Sequence, residues 1–545
     1  MKILVVPSAK LVGLDLQLEY GAIPPVLVPL RGTVALQSLI DFYVDAIDLI
    51  YVLADEGASL VEEYLSFFPH PKVEVVRVRS GRSLADSIED FVRQRPEAAR
   101  AQAVINLGDT VIDDLDHALV GSDFYAYDFT QETQRWTLFR KNNEGGPLII
   151  SDKRYQADPN GWRTFLGAWG FRDFEQFLVL LANAAEDGGI GRFYGAVRAY
   201  AQEKDVAFVR SERWTDYGHL DNLNAARRRV MNTRFFNSMT FGHGGATVQK
   251  RSRNTAKLAD EIRWMLGQPD DLRVYLPAIY SHSLEPTSPY IEMEFYSYPS
   301  LDECFVYARH DFDTWEKIFA RVFEILALQR RHLVEGDLSD DLREMYLNKT
   351  TRRIQEFIAA NDLAFPVDRA VTINGVPCLS LSDAQAGLED ELVRRGALTA
   401  ESFGILHGDL CFGNVLFDAR YSLLKLIDPR GSFGRHALHG DVYYDLAKLS
   451  HSVLGLYDFI VFNQFHVLDD GDGQCSLSFR ARGYHETIGE IFRKHVAQNG
   501  YDLRRVRLIE STLFLSMPPL HGSNPQHQLA MLLRGLQLFT EAAAT

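Results

Sequence analysis

Cysteine is scarce in this chain of 545 residues: four, at 304, 378, 411 and 475, with no Cys-x-x-Cys spacing among them. That excludes a disulfide-stapled scaffold and a cysteine zinc site, and it fits a reducing cytoplasm. Long apolar runs are missing as well. The longest, such as 177–182, fall far below the roughly 20 residues a helix needs to cross a bilayer, so no membrane span is expected. Positive charge is in short supply, with 57 Lys and Arg against 73 Asp and Glu and a formal charge of -16. Sequence-independent binding of nucleic acid rests on clustered cations and is not expected here; an anionic nucleotide has to be held by local groups against the field of the whole chain. There is no internal repeat and no low-complexity tract. The opening Met1-Lys2-Ile3-Leu4-Val5-Val6-Pro7 runs into a strand-like segment without the apolar core and cleavage site of a signal peptide.

What is present is an ordinary globular composition, 46% hydrophobic and 24% charged, on a chain long enough for two or three domains. Residues 1–125 alternate strand-like runs (3–6, 48–54, 73–78, 103–106) with helix-like ones (36–44, 84–93), which predicts an α/β domain with a mostly parallel sheet. Aromatic-rich strands near 136–139 and 168–171 and a helix over 174–185 read as the second half of that domain. The basic run Ala225-Ala226-Arg227-Arg228-Arg229 places a boundary near 230. Two strands, 235–241 and 247–250, then flank the turn Gly242-His243-Gly244-Gly245, and after 301 helical periodicity dominates, with a long helix expected over 342–358.

The strongest signal is His407-Gly408-Asp409-Leu410-Cys411-Phe412-Gly413-Asn414, followed fourteen residues after Asn414 by Asp428 in Ile427-Asp428-Pro429-Arg430. Phosphoryl transfer needs a group that positions a hydroxyl and takes its proton, and oxygen ligands that hold magnesium against the phosphates. Asp409 suits the first role, Asn414 and Asp428 the second. These segments, with Gly440-Asp441-Val442-Tyr443-Tyr444-Asp445-Leu446-Ala447, resemble the catalytic loop, metal aspartate and following segment of aminoglycoside phosphotransferases and choline kinases. The resemblance covers about 231–545. It implies an α+β bilobal protein-kinase-like domain, with an N-lobe over about 231–300 and a helical C-lobe over about 301–545, that uses ATP and Mg2+ on a small-molecule hydroxyl substrate. Lys250 and Glu261 are the candidates for the phosphate-holding lysine and its glutamate partner. The run Tyr290-Ile291-Glu292-Met293-Glu294-Phe295-Tyr296 resembles the hinge strand that binds adenine, with Glu294 at its centre; a buried core strand is the other reading. His407 reads as a scaffold for the loop backbone. Gly244-Gly245 precede Lys250 by only a few residues, where the family has two further strands.

Residues 1–230 resemble a sugar-nucleotide pyrophosphorylase domain, a nucleotidyltransferase. The likeness rests on Ile23-Pro24-Pro25-Val26-Leu27-Val28-Pro29-Leu30-Arg31-Gly32, on Asn106-Leu107-Gly108-Asp109 and on Trp214-Thr215-Asp216-Tyr217-Gly218. It implies that Asp109 and Asp216 share a magnesium at the mouth of the sheet and that CTP, UTP or another nucleoside triphosphate binds there. The family's glycine-rich phosphate loop is replaced by Pro7-Ser8-Ala9-Lys10-Leu11-Val12-Gly13, and its loop lysine by Pro25, leaving Lys10 or Arg31 as sources of charge. A catalytic and a binding-only front domain therefore both stand.

Together these features predict a bifunctional enzyme that phosphorylates a sugar or alcohol and activates the product as a nucleotide conjugate. The resemblance is to bacterial enzymes supplying capsule, lipopolysaccharide or cell-wall building blocks. The alternatives are a kinase with a nucleotide- or sugar-binding front domain, and a regulatory scaffold. Asp337, Asp340 and Asp341 would suit a cationic acceptor or form a solvated turn.

Overall fold

Ile3, Leu4, Val5 and Val6 have no exposed surface, and a strand buried on both faces belongs in the middle of a parallel sheet. In the computed structural model these residues form β1 (Lys2–Ser8), an interior strand of a nine-stranded sheet. The structure describes residues 1–30, 32–79, 83–141, 148–185, 190–231, 237–360 and 365–544; Arg31 and residues 235–236 lie outside them. The chain divides into two compact units, Met1–Arg228 and Arg229–Thr545.

In the first unit the chain runs β1, α1 (Ala35–Tyr43), β2 (Leu49–Ala54), α2 (Ala58–Phe67), β3 (Val73–Arg77), α3 (Leu84–Gln94) and β4 (Gln102–Asn106). The ladders β1–β2, β2–β3 and β1–β4 are all parallel. The helix α3 opens with a reciprocal cap between Ser83 and Asp86 and buries Ala85, Ile88 and Phe91 along one face, which seats it on the sheet. After β1 the strands go outward to β3 and then return on the other side of β1 as β4. The crevice beyond the carboxyl ends of β1 and β4 is thus a topological switch point, where open α/β sheets bind ligands.

The second half of this unit supplies β5 (Thr110–Ile112), β6 (Phe124–Asp128), β7 (Thr137–Lys141), β8 (Leu148–Asp152), β9 (Arg163–Phe171), α4 (Phe174–Asn183), α5 (Arg192–Glu203), β10 (Ala207–Arg210), β11 (Trp214–Asp216) and α6 (Leu220–Met231). Here the sheet changes character: β9 runs antiparallel to β4, β6 and β7, and only β6–β10 is parallel. A register shift between Phe165 and Trp169 lets β9 bend, and the aromatic side chains Phe139, Phe165, Trp169, Phe171 and Phe177 fill the core beneath it. Apart from that sheet, β5 pairs with β11 so that Thr110 lies opposite Asp216.

The second unit begins with an antiparallel sheet of β12 (Asn237–Gly242), β13 (Thr247–Ser252), β14 (Ile279–Ser283) and β15 (Tyr290–Glu294), in the order β12-β13-β15-β14. Between β13 and β14 comes α7 (Thr255–Leu266), capped by Asn254, which accepts the Lys257 N–H, and burying Leu258, Ile262 and Met265. Helices dominate from 301 onward. The helix α8 (Phe312–Gln329) buries Ile318, Val322, Ile325 and Leu326, the face its periodicity predicts. The helix expected over 342–358 is not uniform. One α turn (Ser339–Leu342) is followed by a π turn (Arg343–Asn348) and then by α9 (Lys349–Ala360). In the acidic turn Asp337 and Asp340 are exposed, as a solvated turn would have them, whereas Asp341 is buried, accepts the Arg435 N–H at 2.8 Å and Nη2 at 2.9 Å, and pairs with His436 at 3.3 Å. Those contacts commit Asp341 to holding the turn after Asp428 rather than a cationic acceptor.

Beyond this come β16 (Ser402–Ile405), the loop carrying Asp409, the hairpin β17 (Val415–Asp418) and β18 (Leu423–Leu426), α10 (Val442–Val453), α11 (Gly483–Gln498), α12 (Leu503–Leu515) and α13 (Pro525–Ala544). The apolar faces of α9, α10, α12 and α13, with Phe403 of β16, share one core. Among the described residues no helix is long and apolar enough to cross a membrane.

Candidate active sites

In the second unit the loop between β16 and β17 is held from below. His407 is fully buried; its Nδ1 accepts the Asp409 N–H at 3.3 Å, so Nε2 carries the proton and donates to the Ile427 carbonyl at 3.1 Å. Burial keeps this ring neutral, with its pKa lowered to about 4. Asp445, on α10 and fully buried, accepts the N–H groups of His407 and Gly408, both at 2.8 Å. Burial pushes its carboxyl up to about 7 in spite of those two bonds. Trp264 of α7 donates Nε1 to the Leu406 carbonyl at 2.7 Å, tying the small sheet's helix to the start of the loop.

On this frame Asp409 points into a cleft of about 580 Å³. Asn414 donates its amide N–H to the Asp409 carbonyl at 2.8 Å and to Oδ2 at 3.1 Å. Lys448 stands 2.9 Å from Asp409 Oδ1. Burial opposes ionisation of Asp409, yet Lys448 holds its carboxyl down to about 2. From the other side comes Asp428, which follows β18 with φ +54°, a left-handed conformation that aspartate tolerates better than most residues. Its Oδ1 lies 2.7 Å from Lys250 Nζ. Lys250 on β13 is buried and also donates to both oxygens of Glu261 on α7, at 2.8 and 2.9 Å. Two carboxylates facing one ammonium keep Lys250 protonated, its pKa above the ordinary lysine range despite burial; Glu261 is pushed upward by burial, with Asp428 adding to the effect and Lys250 opposing it.

Gly431, at φ +85°, lets the chain after Asp428 pass against α7: a Cβ there would stand 2.7 Å from the backbone of Asp260. Glu294 is not drawn into this cluster. Its N–H donates to the Ala278 carbonyl at 2.8 Å, and its carboxylate accepts the Tyr296 hydroxyl.

The first unit has a second pair of carboxylates at the switch point. Asp109 follows β4, and Asp216 ends β11. The Tyr217 N–H donates to the Asp109 carbonyl at 2.7 Å, and an ideal Cβ on Gly218 would lie 2.5 Å from Asp109 Oδ2 and 3.1 Å from Asp216 Oδ1. The two side chains therefore converge on one point, which a glycine leaves open. Burial first, and the neighbouring Asp216 second, raise the Asp109 carboxyl to about 6. Asp216 accepts His219 Nδ1 at 2.6 Å, Asn222 Nδ2 at 2.8 Å and the Gly218 N–H at 2.7 Å, and its hydrogen bond raises the pKa of His219. The proline-rich loop packs against the same strand end, since a Cβ at Gly108 would meet Val26 at 2.5 Å and the Pro7 carbonyl at 3.0 Å. Lys10 is exposed just beyond β1.

No protein-family model and no curated protein matches this chain. Among solved structures it is similar to a Bacillus anthracis protein assigned as a glucose-1-phosphate thymidylyltransferase, in complex with sucrose, at 12% identity and TM-score 0.35 over 43% of this chain and 97% of that one. It is likewise similar to the inositol-1-phosphate CTP transferase from T. maritima, at 14% identity and TM-score 0.32 over 43% and 95% of the two chains. A third is HddC from Yersinia pseudotuberculosis complexed with GMP-PN, at 13% identity and TM-score 0.30 over 42% and 100%.

Among the described residues no group of three or more His, Cys, Asp or Glu side chains is arranged to hold a metal ion. Each cluster does offer two hard oxygen donors, Asn414 with Asp428 and Asp109 with Asp216. That suits magnesium, which is commonly held by one or two carboxylates with phosphate oxygens and water completing the shell. Sequence reasoning did not single out Lys448, Asp445, His219 or Asn222. A signal for the first two existed: 441, 445 and 448 share one helix face.

Proposed function

We propose that residues 229–545 transfer the γ-phosphate of ATP to a small-molecule hydroxyl. The observation that carries this reading is the meeting of two ion-pair systems at one cleft: Lys250 with Glu261 and Asp428 on one side, Asp409 with Asn414 and Lys448 on the other. Lys250 holds phosphate oxygens of the nucleotide, and Glu261 fixes Lys250 in place. Asn414 and Asp428 would hold magnesium, which would neutralise charge on the phosphates. Asp409 orients the acceptor hydroxyl. A carboxylate held at about 2 is a weak base, so it takes the proton late, as the new P–O bond forms in a loose transition state. Lys448, adjacent to Asp409, is placed to follow the charge that develops on the transferred group.

For residues 1–228 the proposed role is binding of a nucleoside triphosphate at the switch point, where Asp109 and Asp216 would hold a magnesium that would neutralise phosphate charge. Coupling of the kinase product to that nucleotide, with release of pyrophosphate, would make the chain bifunctional. A second reading, a kinase with a binding-only front unit, draws support from the end of β1 and the turn after it: Pro7-Ser8-Ala9-Lys10-Leu11-Val12-Gly13 stands where a glycine-rich loop would bring backbone N–H groups close to phosphates.

Mass spectrometry of the full chain with magnesium, ATP, CTP and UTP and a panel of hydroxyl compounds tests both. A phosphorylated product that vanishes in Asp409→Asn supports phosphotransfer, and near-normal turnover in that variant refutes it. A nucleotide conjugate that vanishes in Asp109→Asn supports the bifunctional reading; a phosphorylated product with no conjugate supports the second.

A further inference from the structure

The wall of the cleft that faces away from the small sheet is unusual in its charge. It is built by α9, by the turn after Asp428 and by α10, and it presents Lys349, Arg353 and Arg430. None of the three has a carboxylate within ion-pair distance among the described residues. Lys349 is buried and donates only to the Tyr444 hydroxyl oxygen, at 3.3 Å, where Arg430 also donates, at 3.1 Å; Arg353 reaches only the Ser516 carbonyl, at 3.4 Å. The acidic side chains of the cleft are committed elsewhere: Asp409 to Lys448, Asp428 to Lys250, Asp260 to Arg263.

Three cations with one phenol oxygen and no carboxylate among them leave the wall with a net positive charge even when Tyr444 is ionised, which is unfavourable unless something in the working state neutralises it. Two consequences of that imbalance are visible. Burial, with Arg430 adding to it, lowers Lys349 to about 8; Tyr444, which burial would raise, is instead brought down to about 7 by Lys349 and Arg430. The backbone is also specialised here, because Lys349 is the first residue after the π turn Arg343–Asn348, and such turns are frequent at functional sites.

We propose that the acceptor is itself an anion, a hydroxyl compound carrying a phosphate or carboxylate that Lys349, Arg353 and Arg430 hold so that its hydroxyl reaches Asp409. This rests on the phosphotransfer reading given above and names its substrate class. The hydroxyl oxygen attacks the γ-phosphorus, its proton passes to Asp409, and the bond to the β-phosphate oxygen breaks with the electron pair leaving on ADP. A cleft of about 580 Å³ has room for the phosphates of one reactant and a small sugar or polyol.

The test is initial-rate kinetics of the full chain with magnesium and ATP against three sets of acceptors. Glucose 6-phosphate and glycerol 3-phosphate form the phosphate arm, glucuronate and glycerate the carboxylate arm, and glucose, glycerol and choline the uncharged and cationic controls. Turnover confined to one of the first two arms is expected and identifies the anion. Lys349→Met and Arg353→Gln should each raise the acceptor KM tenfold or more, while the ATP KM and kcat stay within about twofold; Arg353→Lys should recover part of the loss. Preference for an uncharged or cationic acceptor, or a rise in the ATP KM alone, overturns the proposal. Should no acceptor be phosphorylated at all, the phosphotransfer reading fails by itself. Calorimetric binding of glucose 6-phosphate and of glucuronate then decides on the anion site: binding that is lost in Lys349→Met supports it, and no binding overturns it. Thermal melts separate misfolding from lost recognition, since removing an unpaired buried cation should leave the melting temperature unchanged or raise it.

Discussion

Replacing Lys250 and Glu261 separately and together separates what the ion pair does for stability from what it does for chemistry. Removing one partner of a buried pair costs about 3–5 kcal/mol, because the other charge is left behind. Lys250→Met strands Glu261, whose side chain is only 5% exposed and has Lys250 as its cation, so the upper part of that range is expected. Glu261→Gln leaves Lys250 with Asp428 at 2.7 Å, and about 1–2 kcal/mol is expected, nearer the worth of a charge-assisted hydrogen bond. The double change Lys250→Met with Glu261→Leu removes both charges from a site whose neighbours on α7, Leu258 and Ile262, are already buried and apolar. It should return to within about 1 kcal/mol of the parent, because apolar replacements of buried pairs are often neutral or stabilising. All three variants should lack phosphotransfer. A chain of two compact units need not unfold in one step, so the assay is urea unfolding read by hydrogen-exchange mass spectrometry of peptides from 237–294. A double variant as unstable as Lys250→Met would refute the reasoning, since the pair would then be holding the sheet to its helix rather than waiting for a nucleotide.

Two further outcomes are expected. His407 is neutral when folded, with its pKa lowered to about 4 against an ordinary 6.5, so its contribution is present above pH 6.5 and lost as pH falls toward 4; at 1.36 kcal/mol per unit this is about 3 kcal/mol. The buried His451 and His485 act in the same direction, and His407→Gln should flatten only part of the acid limb of a melting-temperature profile; an unchanged slope would count against a buried neutral ring. In the first unit Gly218→Ala should weaken magnesium–CTP or magnesium–UTP binding at least tenfold by calorimetry, because its methyl would stand 2.5 Å from Asp109 Oδ2; unchanged binding would mean that the two carboxylates do not work as a pair.

The parts of the fold legible in the sequence are those in which a local pattern has one structural solution. The runs at 3–6 and 49–54 are apolar throughout, as strands covered on both faces have to be, while 73–78 and 103–106 are interrupted only by Glu74, Arg77 and Asn106; all four became the parallel half of the large sheet. The antiparallel half was harder, because β9 turns on a register shift between Phe165 and Trp169 that no hydrophobic period encodes. At the second unit's cleft, Asp409, Asn414 and Asp428 were readable because one loop and one hairpin carry all three. Lys349, Arg353 and Arg430 were not. In a helix a run of cations looks like a solvated face: Arg352 does point out, to pair with Glu344 at 3.5 Å, while Arg353 beside it lines the cleft. Only the packed fold sorts them.

The π turn at Arg343–Asn348 also has a bearing on how such a cleft can change over generations. A π turn amounts to one residue more than the α repeat requires. Deleting a single codon within it would let the helix relax to the ordinary repeat while Lys349 and Arg353 keep their places on the cleft wall, because the wider turn has already absorbed the extra residue. A deletion inside α9 itself, which has no such spare residue, would swing every later side chain by about 100° around the axis. The stretch 343–348 is therefore where this helix can lose a residue without moving the cations behind it.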